Sequence, residues 1–140
     1  MRIMAVDYGD ARTGIAMSDL LCSIVGSTTV IHSRKDEKTI GEIQKLIAQN
    51  GVTEIVVGLP KNMDGTEGFR AEAVRAFGDI LATLTDIPID YYDERMSTME
   101  AYRFLDGAGT FGKKRKDVID TLSAQIILQN YIDRERAARK

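Results

Sequence analysis

The hydrophobic pattern of this chain changes period along its length, and each change marks an element. Residues 2–6 carry the apolar run Ile3, Met4, Ala5 and Val6, which reads as a buried strand. Asp7, Tyr8, Gly9 and Asp10 then read as a turn. β-Formers resume over 13–18 and again over 27–31, where Thr28, Thr29, Val30 and Ile31 stand together. Short connections bearing Gly and Asp predict an antiparallel meander of these three strands. From residue 36 the period becomes helical: Ile40, Ile43, Leu46 and Ile47 share one face of 36–50, with Asn50 and Gly51 as a C-terminal stop.

The second half repeats the alternation. Residues 54–59 read as a buried strand stopped by Pro60, and a loop with Asn62, Asp64 and Gly65 follows. An amphipathic helix is predicted over 69–84 through Phe69, Ala73, Phe77, Ile80, Leu81 and Leu84, then a fifth strand over 89–92. Ser97 and Glu100 have the spacing of a capping box and open a short helix to Leu105. Glycines between 106 and 112 mark a flexible loop, and a last helix is predicted over 117–136. The fold class is therefore α/β: one domain over 1–140, with a mixed five-stranded sheet, three antiparallel strands and then two parallel, flanked by helices. Strand order is not readable from periodicity. The expected arrangement sets the ends of the first and fifth strands side by side, with the last helix across them.

At 140 residues the chain is long enough to bury a core of its own. Its 44% hydrophobic and 29% charged content is that of an ordinary globular protein. No apolar run approaches a membrane span, and the first residues lack the pattern of a signal peptide. Cys22 is the only cysteine, so it has no intramolecular disulfide partner; a buried, inert thiol and a cytoplasmic location are expected. His32, the only histidine, is expected to be structural. A net charge of −2 argues against coating nucleic acid by bulk electrostatics. The charge is uneven, however: Lys113, Lys114, Arg115 and Lys116 form a basic block in the glycine-bearing loop, suited to clamping phosphates.

Three acidic segments carry the chemistry: Asp7 at the end of the first strand, Asp93 and Glu94 at the end of the fifth, and Asp117 and Asp120 on the last helix. Carboxylates at the tips of buried strands are costly unless paired or bound to a cation, and a hard divalent ion with oxygen ligands relieves their mutual repulsion. A Mg²⁺-dependent phosphoryl-transfer site is the natural reading. Strand alternation allows only one of Asp93 and Glu94 to face it. Gly9 and Gly14 would let the backbone turn close to a phosphate, and Arg12 offers a bidentate guanidinium.

The segment from Asp7 to Ala16 resembles the YqgF (RuvX-like) family, as do Gly58 to Gly65, Asp93 to Thr98 and Ile119 to Ala124, in the same order and at matching spacings. The resemblance covers nearly the whole chain. It implies an RNase H-like fold, a divalent-metal nuclease using Mg²⁺ or Mn²⁺, and maturation of the 5′ end of 16S rRNA, with Holliday-junction cleavage as the older proposal for the family. Carried over by position, Asp7, Glu94 and Asp120 are the catalytic metal ligands. Arg12, Arg95, Lys113, Lys114, Arg115 and Lys116 are the expected substrate contacts. Asp117 is ambiguous: related junction resolvases have a second helix carboxylate, whereas the YqgF family often has a basic residue there. At the start of a helix an Asp needs only the helix dipole to justify it.

The expected partners are structured RNA (pre-rRNA) or branched DNA, and the expected state is a monomer or weak homodimer. Three other readings compete. A junction resolvase acting on DNA would need two sites and hence a dimer. The first motif is also similar to the phosphate loop of actin/hexokinase-type ATPases, which bind nucleotide between two such domains. A non-catalytic RNA-binding module would gain nothing from three acids.

Overall fold

The computed structural model describes residues 1–62, 64–93 and 112–138, and over 112–120 and at 137 only the course of the helix backbone. The elements are β1 (Ile3–Asp7), β2 (Arg12–Ser18), β3 (Val25–His32), α1 (Asp36–Asn50), β4 (Glu54–Leu59), α2 (Phe69–Thr83), β5 (Ile89–Asp93) and α3 (Gly112–Ala138). The five strands form one sheet in the order β3–β2–β1–β4–β5. β1–β2 and β2–β3 are antiparallel, and β1–β4 and β4–β5 parallel.

The sheet has the expected class, but β4 lies between β1 and β5, so the first and fifth strands are not neighbours. The reason is burial. β1 and β4 are continuous apolar runs whose central residues Met4, Ala5, Val6, Ile55, Val56 and Val57 are wholly buried, as strands covered on both faces must be. β5 and β3 carry polar, partly exposed positions and take the edges.

Alternation divides the core into two layers. Met4, Val6, Ile15, Ile55 and Val57 pack with Ile40 and Ile43 of α1 and Val74, Phe77 and Leu81 of α2. Ile3, Ala5, Ala16 and Val56 pack on the other face against Ala124, Ile127, Leu128, Tyr131 and Ile132 of α3. Alanines on both sides of the second layer let the helix axis lie close to the sheet.

Three expectations need correction. The buried stripe of α2 is Ala71, Val74, Phe77, Gly78 and Leu81, whereas Phe69, Ile80 and Leu84 are exposed. The sequence reading followed the large side chains, but the helix seats its small ones, Ala71 and Gly78, against its neighbours. Second, α3 begins at Gly112, so residues 113–116 are helical rather than part of a glycine loop. Lys and Arg are good helix formers and extend the helix ahead of its apolar stripe. Third, Cys22 is only partly buried; it sits in the β2–β3 turn with a positive φ of 53°. There the Asp19 carboxylate accepts from the backbone N–H groups of Ser23 and Ile24, bonds that hold it below the usual carboxylate range, with the Ser23 bond the larger influence. The short helix expected over 97–105 and the loop after it lie outside the described residues.

Tyr131 fixes the far end of α3. Its ring is 2% exposed, and its hydroxyl donates to Glu54 at the start of β4, with Asp90 Oδ2 of β5 3.3 Å away. Burial, reinforced by the Glu54 bond, pushes the phenol well above its ordinary range. Tyr131→Phe removes the hydroxyl proton that reaches Glu54 and Asp90 and is expected to cost about 1–3 kcal/mol. Urea unfolding at unchanged slope checks this; an unaltered midpoint would make the bond incidental.

Candidate active site

β1 delivers Asp7 to the C-terminal rim of the sheet. Since Ile3 and Ala5 face α3, alternation turns Asp7 to the same face, where it is half-buried. Its β2 partner is Gly14, and on the other side Gly58 follows one step after the Val6–Val57 pair. The carboxylate therefore has a glycine beside it on either neighbouring strand. Gly14 belongs to this flank, inside β2, and not to a phosphate-wrapping turn.

The turn after Asp7 is tightly determined. A Cβ on Gly9 would stand 2.2 Å from the Arg12 carbonyl oxygen, so no side chain fits there. Tyr8 points to the opposite face, stacks on Phe77 with centroids 4.3 Å apart, and donates to Asp36 Oδ1 at 2.6 Å. Burial first, then that bond, pushes the Tyr8 phenol up to about 12. Tyr8 thus anchors the end of β1 to α1 and α2. The sequence reading missed this role, although the alternation that sends Asp7 to one face sends its neighbour to the other. Arg12 opens β2 at the same rim, half-buried and paired in register with His32; His32 is exposed.

β5 ends at Asp93, which pairs in register with Leu59. Tyr91 packs with the α1/α2 layer and Tyr92 with the α3 layer, so Asp93 falls on the α1/α2 face, away from Asp7. Glu94 and Arg95 lie outside the described residues.

α3 runs antiparallel to β1 and β4. Tyr131 meets Glu54 at the beginning of β4, so the N-terminal half of the helix heads for the rim that carries Asp7. From residue 131 back to residue 120 is eleven steps, about 16 Å of helix, close to the length of β4 from 54 to 59, also about 16 Å. The backbone at 120 therefore reaches the C-terminal strand ends. Ser123 and Ala124, one turn on, are buried against the sheet. Residues 113–116 form the first turns of the same helix. The structure thus gathers Asp7, Arg12, Asp93 and the start of α3 at one rim. Among the described residues, no three of His, Cys, Asp and Glu form a metal-holding group. No described helix is long and apolar enough to cross a membrane.

Comparison with known proteins agrees with this architecture. Residues 1–134 match the family model described as "RuvX: Holliday junction resolvase". A Halothermothrix orenii protein named "Putative pre-16S rRNA nuclease" is 48% identical over 133 residues, 95% of each chain. T. thermophilus RuvC in complex with Holliday junction substrate superimposes with a TM-score of 0.63 at 9% identity, covering 98% of this chain and 96% of that one. Fowlpox virus resolvase in complex with Holliday junction DNA gives a TM-score of 0.60 at 10% identity, with 96% and 99% covered. These two likenesses establish an RNase H-like fold.

Proposed function

Because the chain belongs to the RuvX family, we propose that it is a phosphodiester hydrolase that trims the 5′ end of pre-16S rRNA in the cytoplasm, with Mg²⁺ or Mn²⁺ held by Asp7, Glu94 and Asp120. The observation that carries this reading is the Asp7 carboxylate at the sheet rim with Gly14 and Gly58 beside it. With glycine at the register position on either neighbouring strand, the sheet itself leaves room beside the carboxylate for a cation and a phosphate. Asp93 falls on the α1/α2 face, away from Asp7, which argues against Asp93 as the ligand and supports Glu94 in that role. Oxygen ligands of this kind suit a hard cation. A bound pair of such ions supplies charge to the attacking and leaving oxygens of an in-line displacement.

The chain's own contribution is positional. Asp7 is rigid because β1 is buried on both faces and Tyr8 pins the following turn. Arg12, at the same rim, and Arg95 are suited to bidentate phosphate contacts. The basic block supports a polyanionic substrate: Lys113, Lys114, Arg115 and Lys116 have good helix propensity, but at a helix N-terminus their charges oppose the dipole, so propensity alone does not account for four cations there. Replacing all four by Ala is expected to weaken binding regardless of sequence and to lower the salt slope by about 0.7–0.9 per lost phosphate contact. Fluorescence anisotropy across a salt series reads this, and an identical slope would return the block to a solvated face.

The second reading is resolution of four-way DNA junctions, favoured by the description of the family itself. Paired incision of a two-fold symmetric junction requires two copies of the site. Cleavage of matched pre-rRNA, single-stranded DNA and four-way junctions by the purified protein, with and without Mn²⁺, separates the readings. Cutting of none of the three would overturn the nuclease assignment.

A further inference from the structure

At the rim that carries Asp7, the loop after β4 and the start of α2 enclose a cleft of about 310 Å³ lined by Pro60, Lys61, Asn62, Gly68, Phe69 and Arg70. Phe69 is 86% exposed there and takes no part in the buried stripe of α2. A lone exposed phenyl ring is ordinary; this one shares its cleft with two cations. Neither Lys61 nor Arg70 forms a salt bridge or a side-chain hydrogen bond among the described residues. The nearby acids make their direct bonds elsewhere: Glu67 is gripped by Arg75 through bonds of 2.6 and 2.8 Å, with Lys61 only a weaker electrostatic neighbour, and Asp64 accepts from Thr66. The cleft therefore offers an apolar ring and two cations without salt-bridge partners, the combination that binds an unpaired nucleotide: a base on the ring and phosphates on the cations. Pro60 lies two residues past Gly58, so the cleft begins roughly 8 Å from the Asp7 backbone, by strand rise and spacing.

We propose that this cleft is a subsite for an unpaired nucleotide of the substrate, with Phe69 stacking on its base and Lys61 and Arg70 holding the adjoining phosphates. The inference rests on the nuclease reading and adds to it a requirement for single-stranded nucleic acid beside the cut. A duplex hides its base faces and could not use the ring. Base recognition is by stacking alone, so the subsite tolerates any base.

The chain has no tryptophan, so Phe69→Trp installs a single indole reporter. With chelator present to prevent cleavage, a short single-stranded oligonucleotide is expected to quench that emission, whereas the matching duplex and polyglutamate leave it unchanged. Phe69→Ala, at an exposed position that folding does not need, should weaken single-strand binding about tenfold or more, and Phe69→Trp should preserve it. Lys61→Ala with Arg70→Ala should weaken the quenching titration and reduce its salt dependence. If a labelled single strand binds by anisotropy without changing the indole, or binds Phe69→Ala as well as the unaltered protein, the subsite is wrong and the nuclease reading stands. If polyglutamate quenches equally, the patch is a general anion surface and the subsite is again wrong. A protein that neither binds nor cuts any nucleic acid would overturn the nuclease reading and the subsite together.

Discussion

Asp7→Asn is expected to abolish cleavage, a loss of at least about a hundredfold, while the protein stays folded. The side chain keeps its size, and its surroundings at the end of β1, with Gly14 and Gly58 on either side, can accept an amide without a clash. What disappears is one of the negative charges proposed to hold the cation. In the metal-free protein the same change would relieve repulsion among the carboxylates proposed to converge there. Thermal stability without metal should therefore be unchanged or slightly higher, and the upward shift produced by Mg²⁺ or Mn²⁺ should vanish. The thermal shift reports on binding independently of turnover. A variant that still cuts at the original rate would remove Asp7 from the mechanism, and one that keeps its metal-induced shift would remove it from the ligand set.

The fold was legible where local pattern and burial coincide. The bounds of α1 and β4 follow from their apolar runs and from stops at Gly51, which adopts a left-handed φ of 64°, and at Pro60. Pattern fails where two positions compete on grounds that only the tertiary structure supplies. Phe69 and Ile80 outrank Ala71 and Gly78 on any hydrophobicity scale, yet close approach favours the small residues: a Cβ on Gly78 would come within 2.1 Å of the Tyr91 hydroxyl. The place of β4 between β1 and β5 is likewise a non-local fact. It depends on which strands can be covered on both faces, and no window of sequence encodes that. For the site, Asp7 and Arg12 were readable because the end of a strand and a tight turn are local features. The flank formed by Gly14 and Gly58 was not, because it exists only through cross-strand register between segments more than forty residues apart.

The start of α3 decides how its two carboxylates should be ranked. An Asp in a first helical turn is explained by the dipole alone, but the helix begins at Gly112, which makes Asp117 its sixth residue and leaves no acid in the first turn. The dipole falls away within that turn, so this explanation of Asp117 fails, and position along the helix becomes the discriminating quantity. At helical period both 117 and 120 continue the stripe of Ala124, Ile127 and Tyr131. Residue 120 stands about level with the strand ends, whereas 117 lies about 4.5 Å further along the axis, beyond them. Buried Ser123 and Ala124 bring the helix closest to the sheet on the turn after 120. Asp120→Asn is therefore expected to cost at least about a hundredfold in rate, the scale of a lost metal-orienting group. Asp117→Asn, one helical turn further from the strand ends and next in sequence to the basic block, should cost less than about tenfold, since a carboxylate at greater distance contributes less to the ion. Single-turnover cleavage at saturating Mn²⁺ compares them directly. If Asp117→Asn is the more damaging change, the third ligand is one turn closer to the helix start than proposed, and α3 must cross the rim further out than its anchoring at Tyr131 indicates.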